Sequence, residues 1–164
     1  NVSNVDILAL DSSKKSILNT SINIERNIER IGNLGSSVTT YRIDLLKDDL
    51  RLDHKYDIII SNPPYIPVFN RKKVDRNVLK FESKKSLFPP SIRYKGLLFH
   101  HTILNLSQKC LNYSCSSKKI PKVLLEFDGT YQVSEILRMA KASGFRHVYF
   151  RKDFQNKPRS IWIY

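Results

Sequence analysis

Cysteine is nearly missing from this chain, whose 164 residues hold only Cys110 and Cys115. With four residues between them and no companion cysteines, they match neither a zinc-ligand spacing nor a disulfide framework, and read as spare thiols of a reducing compartment. Missing as well is any apolar run near the ~20 residues that a bilayer-spanning helix requires. These residues show no secretory-signal pattern, which leaves open a targeting segment ahead of Asn1. No internal repeat is visible. No finger, recognition-helix or RNP-type pattern is visible either, which argues against a reader of nucleic-acid sequence. What is present suits one folded domain, residues 1–164, with a single core and 41% hydrophobic residues.

Acidic residues are in deficit, 15 against 28 Lys and Arg, for a formal net charge of +13. Two explanations stand side by side. Clusters such as Arg71-Lys72-Lys73, Lys84-Lys85 and Lys118-Lys119 offer contact with RNA, a ribosome or another acidic surface through counterion release and steering. Alternatively the charge reflects a compartment-wide bias, since mitochondrial matrix proteins are often basic.

The most informative segment runs from Asp57 to Pro67, where three isoleucines lead into Ser61-Asn62-Pro63-Pro64-Tyr65-Ile66-Pro67. An apolar run this short predicts a parallel strand covered on both faces, and it must end near Ser61 because the prolines lack N–H donors. Ligands bind at the carboxyl ends of strands in open α/β sheets, so Asn62 and Tyr65 are placed where chemistry is expected. The Asn62 carboxamide oxygen and the Pro63 carbonyl are two acceptors suited to one NH2 group. The proline after each biases them toward extended backbone, and Tyr65 can lie against a flat group. The other reading is an ordinary turn, in which Asn and Pro are common.

Along the chain, periodicity predicts a strand over 6–10 and a helix over 13–31 with Ile17, Leu18, Ile24, Ile28 and Ile31 on one face, closed by Gly32 and Gly35. Strands over 38–43 and 56–61 follow. Then come a long irregular segment over 68–95 with the character of a lid or substrate loop, a helix over 96–111, a Ser/Lys-rich link over 114–119 and a strand over 123–127. A helix over 132–143 stops at Gly144, and strands over 147–152 and 160–164 close the chain as an antiparallel pair.

In these residues the chain resembles the catalytic domain of the HemK/PrmC-type methyltransferases, which N5-methylate a glutamine in peptide release factors. Val5 to Ser13 is similar to the family's second strand and its acidic end, Asp44-Leu45-Leu46 to the acidic turn after its third, and Asn62-Pro63-Pro64-Tyr65-Ile66-Pro67 to its signature loop. Phe81-Glu82, Ser86-Leu87-Phe88, Gly96-Leu97, Leu125-Glu126 with Gln132, Gly144-Phe145, Lys152-Asp153 and Pro158-Arg159 follow in the family's order. The four-residue loop alone is shared with methyltransferases of adenine or cytosine amino groups; the ordered set points to the glutamine branch. Pro89-Pro90 and Asp128-Gly129 depart from the family's glycine pattern.

The resemblance implies a class I, Rossmann-like S-adenosylmethionine-dependent fold, a mostly parallel sheet with a C-terminal antiparallel pair. The first strand, its glycine-rich turn and a small helical domain would precede Asn1. The chain is therefore expected to be a fragment that needs its upstream half to fold stably, because the absent strand is central and its neighbours would lack a partner on one side. The implied cofactor-binding residues are Asp11 and Ser12 toward the ribose, Asp44 and Leu45 toward the adenine, and Asn62. Asp11 as a helix cap and Asp44 as a surface-turn aspartate remain open readings. The implied catalytic set is Asn62, Pro63, Pro64 and Tyr65, and the substrate contacts are Asn62, Pro63, Tyr65, Ile66 and Pro67. Glu82 and Glu126 are candidate contacts or plain solvated carboxylates. His100 and His101 face different directions on a helix and receive no catalytic role.

The implied reaction is direct methyl transfer to an amide nitrogen, without a covalent enzyme intermediate or a metal. The implied partner is a release factor bearing a Gly-Gly-Gln loop, and the expected compartment is the mitochondrial matrix, with the cytoplasm as the alternative. Two other functions are compatible with the same loop: an adenine amino-methyltransferase with Tyr65 stacking on a flipped base, and a non-catalytic domain that binds a release factor or ribosome.

Overall fold

The computed structural model describes residues 4–52, 54–91, 93–114 and 120–164. They fall into two compact units, residues 1–51 and 52–164. Cys115, Lys118 and Lys119 lie outside the described residues.

The first unit is a β-α-α-β segment: β1 (Asp6–Asp11), α1 (Lys14–Glu25), α2 (Ile28–Asn33) and β2 (Ser37–Arg42). The strands are parallel, with Asp6 opposite Ser37 and Asp11 opposite Arg42. Helix α1 starts where the Ser13 hydroxyl accepts the Ser16 N–H, the satisfaction an N-cap provides. The single helix expected over 13–31 is broken at Asn27. Its side-chain amide donates to the Asn23 carbonyl at 2.8 Å, the acceptor its own N–H would take in a continuous helix. That N–H turns to the Ile24 carbonyl instead. No residue of α1 or α2 is buried, and Leu18 and Ile28 of the expected apolar face are 58% and 59% exposed. Among the described residues of this unit Ile43 is the sole buried hydrophobic side chain.

The second unit holds β3 (Ile59–Ser61), α3 (Arg76–Phe81), α4 (Lys84–Leu87), α5 (Leu98–Cys110), β4 (Val123–Glu126), α6 (Thr130–Ala142), β5 (Val148–Lys152) and β6 (Pro158–Ile163), in sheet order β3-β4-β6-β5. β3 runs parallel to β4. β6 leaves β5 through a hairpin and lies between β5 and β4, so it is antiparallel to both. The antiparallel character thus extends one pairing beyond the expected terminal pair, and the described strands form two sheets, one of two strands and one of four. Among the described residues β1 and β3 each have a partner on one side only.

The core belongs to the second unit. Val123, Leu125 and Phe127 alternate inward and are fully buried, as are Ile161 and Ile163. Helix α5 buries His100, Ile103, Leu104, Ser107 and Cys110; α6 buries Gln132, Ile136, Met139 and Ala140. Both are one-sided helical stripes. Cys110 is a free thiol. β3 departs from the expected strand: it spans three residues, Tyr56 makes an isolated bridge to Leu111, and Ile60 is 74% exposed. The face toward which Ile60 points is therefore not covered, unlike both faces of the strand expected.

The segment over 68–95 is more ordered than expected. It contains a 3-10 stretch over Val68–Lys73, then α3 and α4, each started by a side chain: Asp75 accepts from Asn77 N–H, and Ser83 from Lys85 N–H. It ends in a turn over Arg93–Gly96, where Tyr94, Lys95 and Gly96 all have positive φ. No described helix is long and apolar enough to cross a membrane.

Candidate active site

In the second unit, β3 ends at Ser61 and releases Asn62 to Pro67 at the carboxyl end of the parallel β3-β4 pair. Pro63 and Pro67 are buried while Asn62 is exposed. Among the described residues nothing hydrogen-bonds the Asn62 side chain, so its carboxamide is available to a ligand. The loop around it is held firmly. Tyr65 donates its hydroxyl to Glu126 Oε1 at 2.9 Å, and burial, reinforced by that carboxylate, holds the phenol well above its ordinary range. Ile66 N–H donates to the Leu87 carbonyl at 3.1 Å. Gln132 Nε2 donates to the Tyr65 carbonyl at 3.0 Å.

Beneath Tyr65 lies His100, fully buried, its ring 6.5 Å from the Tyr65 ring. Nε2 sits 2.6 Å from the Glu126 carbonyl, to which it must donate. Nδ1 has no partner among the described residues. Burial lowers the imidazole to about 4, so it is neutral at physiological pH. His101 instead stacks on Tyr94 at 4.7 Å, the divergence expected of adjacent helical residues.

Gly96 lets two backbones approach closely. A Cβ there would stand 2.6 Å from the Tyr65 carbonyl oxygen and 3.0 Å from Pro67 Cγ.

A cleft of about 520 Å³ opens on this loop, lined by Asn62, Pro63, Tyr65 and Ile66 together with Lys73, Val78, Glu82, Leu87 and Asp128. Pro64 and Pro67 do not line it; they stiffen the loop. Asp128 is committed: one oxygen accepts from Arg159 at 3.2 Å, the other from the Tyr131 hydroxyl at 3.1 Å. Arg159 also reaches Asp153 at 3.2 Å. Of the two candidate contact carboxylates, Glu82 lines the cleft and Glu126 holds the Tyr65 hydroxyl; Gln132 and Arg159 stood in the family pattern with no contact assigned to them. The ties from Gln132 and Gly96 to the loop join residues far apart in the chain, and no local spacing signals them.

In the first unit, Asp11 and Asp44 stand at the carboxyl ends of neighbouring parallel strands, with Ile43 N–H donating to the Asp11 carbonyl at 3.0 Å. Asp11 Oδ1 accepts the Ser13 N–H at 2.7 Å, so Asp11 braces the turn ahead of the helix while Ser13 caps it. Its second oxygen meets no donor among the described residues, and the side chain is exposed. A ribose diol fits such a carboxylate. The Ser12 carbonyl accepts from Arg42 Nε at 3.1 Å. Asp44 accepts the Leu46 N–H at 3.1 Å and pairs with Lys47 at 3.3 Å, with Leu45 half-buried beside it. An exocyclic amine would share this carboxylate with Lys47. The two acceptor carboxylates therefore fit the ribose of S-adenosylmethionine directly and its adenine with competition. Among the described residues no three His, Cys, Asp or Glu side chains gather as metal ligands.

No protein-family model matches the sequence. The curated proteins similar in sequence include three called release factor glutamine methyltransferase: one from Bacteroides thetaiotaomicron, 30% identical over 78% of this chain and 43% of its own length; one from Flavobacterium psychrophilum, 26% identical over 99% and 51%; and one from Bacillus cereus, 34% identical over 94% and 53%. Among solved structures, the hMettl16 catalytic domain in complex with MAT2A 3'UTR hairpin 1 is similar in fold, with a TM-score of 0.51, 14% identity, and 95% of this chain and 54% of that one covered. The α/β fold is that of a class I methyltransferase. The chain spans about half the length of the curated relatives it matches, and over that span its sequence is similar to the release factor glutamine methyltransferases.

Proposed function

We propose that the protein containing this chain transfers a methyl group from S-adenosylmethionine to the side-chain amide nitrogen of the glutamine in a Gly-Gly-Gln loop of a peptide release factor, in support of translation termination. The observation that carries the reading is the Asn62 carboxamide, without a hydrogen-bond partner among the described residues and next in sequence to Pro63, on a braced loop that lines a cleft.

An amide nitrogen is a poor nucleophile because its lone pair is delocalised into the carbonyl. Asn62 Oδ1 and the Pro63 carbonyl accept its two N–H groups, orient the nitrogen, and stabilise the positive charge that grows there as the new N–C bond forms. Orientation of this kind is worth about 7–11 kcal/mol in well-aligned systems. Bound S-adenosylmethionine supplies the electrophilic methyl. The Asp11 carboxylate, with Ser12 beside it, would hold the ribose, and Asp44 and Leu45 would hold the adenine. The nitrogen then loses a proton to solvent. Tyr65 and Ile66 form the apolar wall for the aliphatic part of the glutamine, and Pro67 anchors the loop.

Exposed Arg71, Lys72, Lys73, Lys84 and Lys85 flank this region and would add steering toward the factor or a ribosome-bound complex; a mitochondrial matrix location is consistent with that charge. The test is single-turnover methyl transfer by the complete enzyme to a release factor. Transfer that survives Asn62→Ala would contradict the assignment.

A further inference from the structure

We propose that Gln132 is the positioning residue of the methyl-transfer loop, holding the Asn62 and Pro63 acceptors in register although it touches neither. The inference rests on the amide-methylation reading above for its kinetic part only.

Gln132 is the third residue of α6 and has no exposed surface. Its carboxamide is fully used by main-chain groups from three separate places. Nε2 donates to the Tyr65 carbonyl at 3.0 Å and to the Lys95 carbonyl at 2.8 Å. Oε1 accepts the Asp128 N–H at 2.8 Å. One side chain thereby joins the loop after β3, the turn before α5 and the segment after β4. All three are irregular backbone, and buried polar groups of this kind need a partner.

Two features make this tie more than generic packing. First, the turn it holds is strained: Tyr94 and Lys95 are non-glycine residues at φ 58 and 55, conformations that persist only where surrounding contacts fix them. The Gly96 backbone then lies so close to the Tyr65 carbonyl that no Cβ fits. Second, Tyr65 is separated from Asn62 only by Pro63 and Pro64, whose φ angles are locked by their rings. A displacement of the Tyr65 carbonyl is passed along that stiff dipeptide to both acceptors instead of being absorbed.

The experiment compares Gln132→Met, which keeps volume and loses all three hydrogen bonds, with Ile136→Ala, a core truncation in the same helix that leaves the loop untouched. Both are made in the complete enzyme. Gln132→Met should lower the single-turnover methyl-transfer rate at saturating cofactor and factor by about 10-fold or more, as small misplacements of reacting groups do. Cofactor affinity should stay within about 2-fold, and hydrogen-exchange protection of the Ile66 and Asn70 amides should be lost. Ile136→Ala should lower the melting temperature without changing that rate or that protection. An unchanged rate and unchanged exchange in folded Gln132→Met overturns the proposal, as does an equal fall in both variants. If the unmodified enzyme transfers no methyl to the factor, the functional reading fails, and the exchange result alone decides the positioning role.

Discussion

Asn62 and His100 illustrate two opposite fates of a polar side chain at this site. Asn62 is exposed and its side chain has no hydrogen-bond partner among the described residues, which suits a group reserved for substrate. Asn62→Ala in the complete enzyme should therefore leave the melting temperature and cofactor affinity nearly unchanged while lowering the single-turnover rate by about 10²-fold, the usual loss for one preorganised partner of a transition state. His100 is sealed in, and its lowered pKa makes it a pH liability. Below its ordinary value of 6.5 the unfolded chain takes up the proton while the folded chain does not until about 4, so stability falls as pH drops through that window and the loss levels off below it. The loss amounts to about 3 kcal/mol at most. Denaturant titrations at pH 7 and pH 4.5 would show this slope, and His100→Gln, which retains an N–H for the Glu126 carbonyl, should flatten it. An identical slope in the variant would remove His100 as the cause. Asn62 was legible in the sequence because the isoleucine run and the prolines around it are contiguous. The partners of Tyr65, by contrast, come from residues up to 67 positions away, and only folding brings them together.

Among the elements, the turn over Arg93–Gly96 governs the loop and the helix that follows it. Gly96→Ala must both tolerate positive φ and displace the Tyr65 carbonyl or Pro67, which should cost about 1–3 kcal/mol or more. It should also slow methyl transfer beyond what the stability loss explains. Thermal unfolding together with single-turnover rates would check this, and a stable, fully active variant would contradict the proximity. The sequence marked Gly96 as part of a pattern, but not what it approaches. Helix α5, α6 and the β5-β6 hairpin were legible because their apolar stripes and the Gly144 stop are local. The break at Asn27 was not, because the isoleucine spacing continues across it and only a competing side-chain bond to Asn23 ends α1. β3 was read too long because an apolar run does not reveal which of its residues find a strand partner.

Taken whole, the chain is uneven: the second unit carries the core, while Ile43 alone is buried among the described hydrophobic side chains of residues 1–51. Hydrogen exchange on the 164-residue chain by itself should find protection in β4 and β6 and little in β1 and β2; equal protection in both would refute this. Burial of this kind was not legible, since the Asp6–Leu10 pattern names a strand without saying what covers it. Asp11 carries the corresponding functional prediction. Asp11→Ala in the complete protein should weaken S-adenosylmethionine binding by about 1.5–3 kcal/mol, read by calorimetry, whereas unchanged affinity would leave Asp11 as a brace for the turn at Ser13. The net charge of +13 should make association with the acceptor salt-sensitive without conferring base specificity. The central claim is the identity of that acceptor. The complete enzyme and labelled S-adenosylmethionine are incubated with a release factor, with the same factor carrying alanine in place of the Gly-Gly-Gln glutamine, and with total RNA. The account predicts label in the unaltered factor alone; label in RNA, or in the altered factor as readily as in the unaltered one, would contradict it.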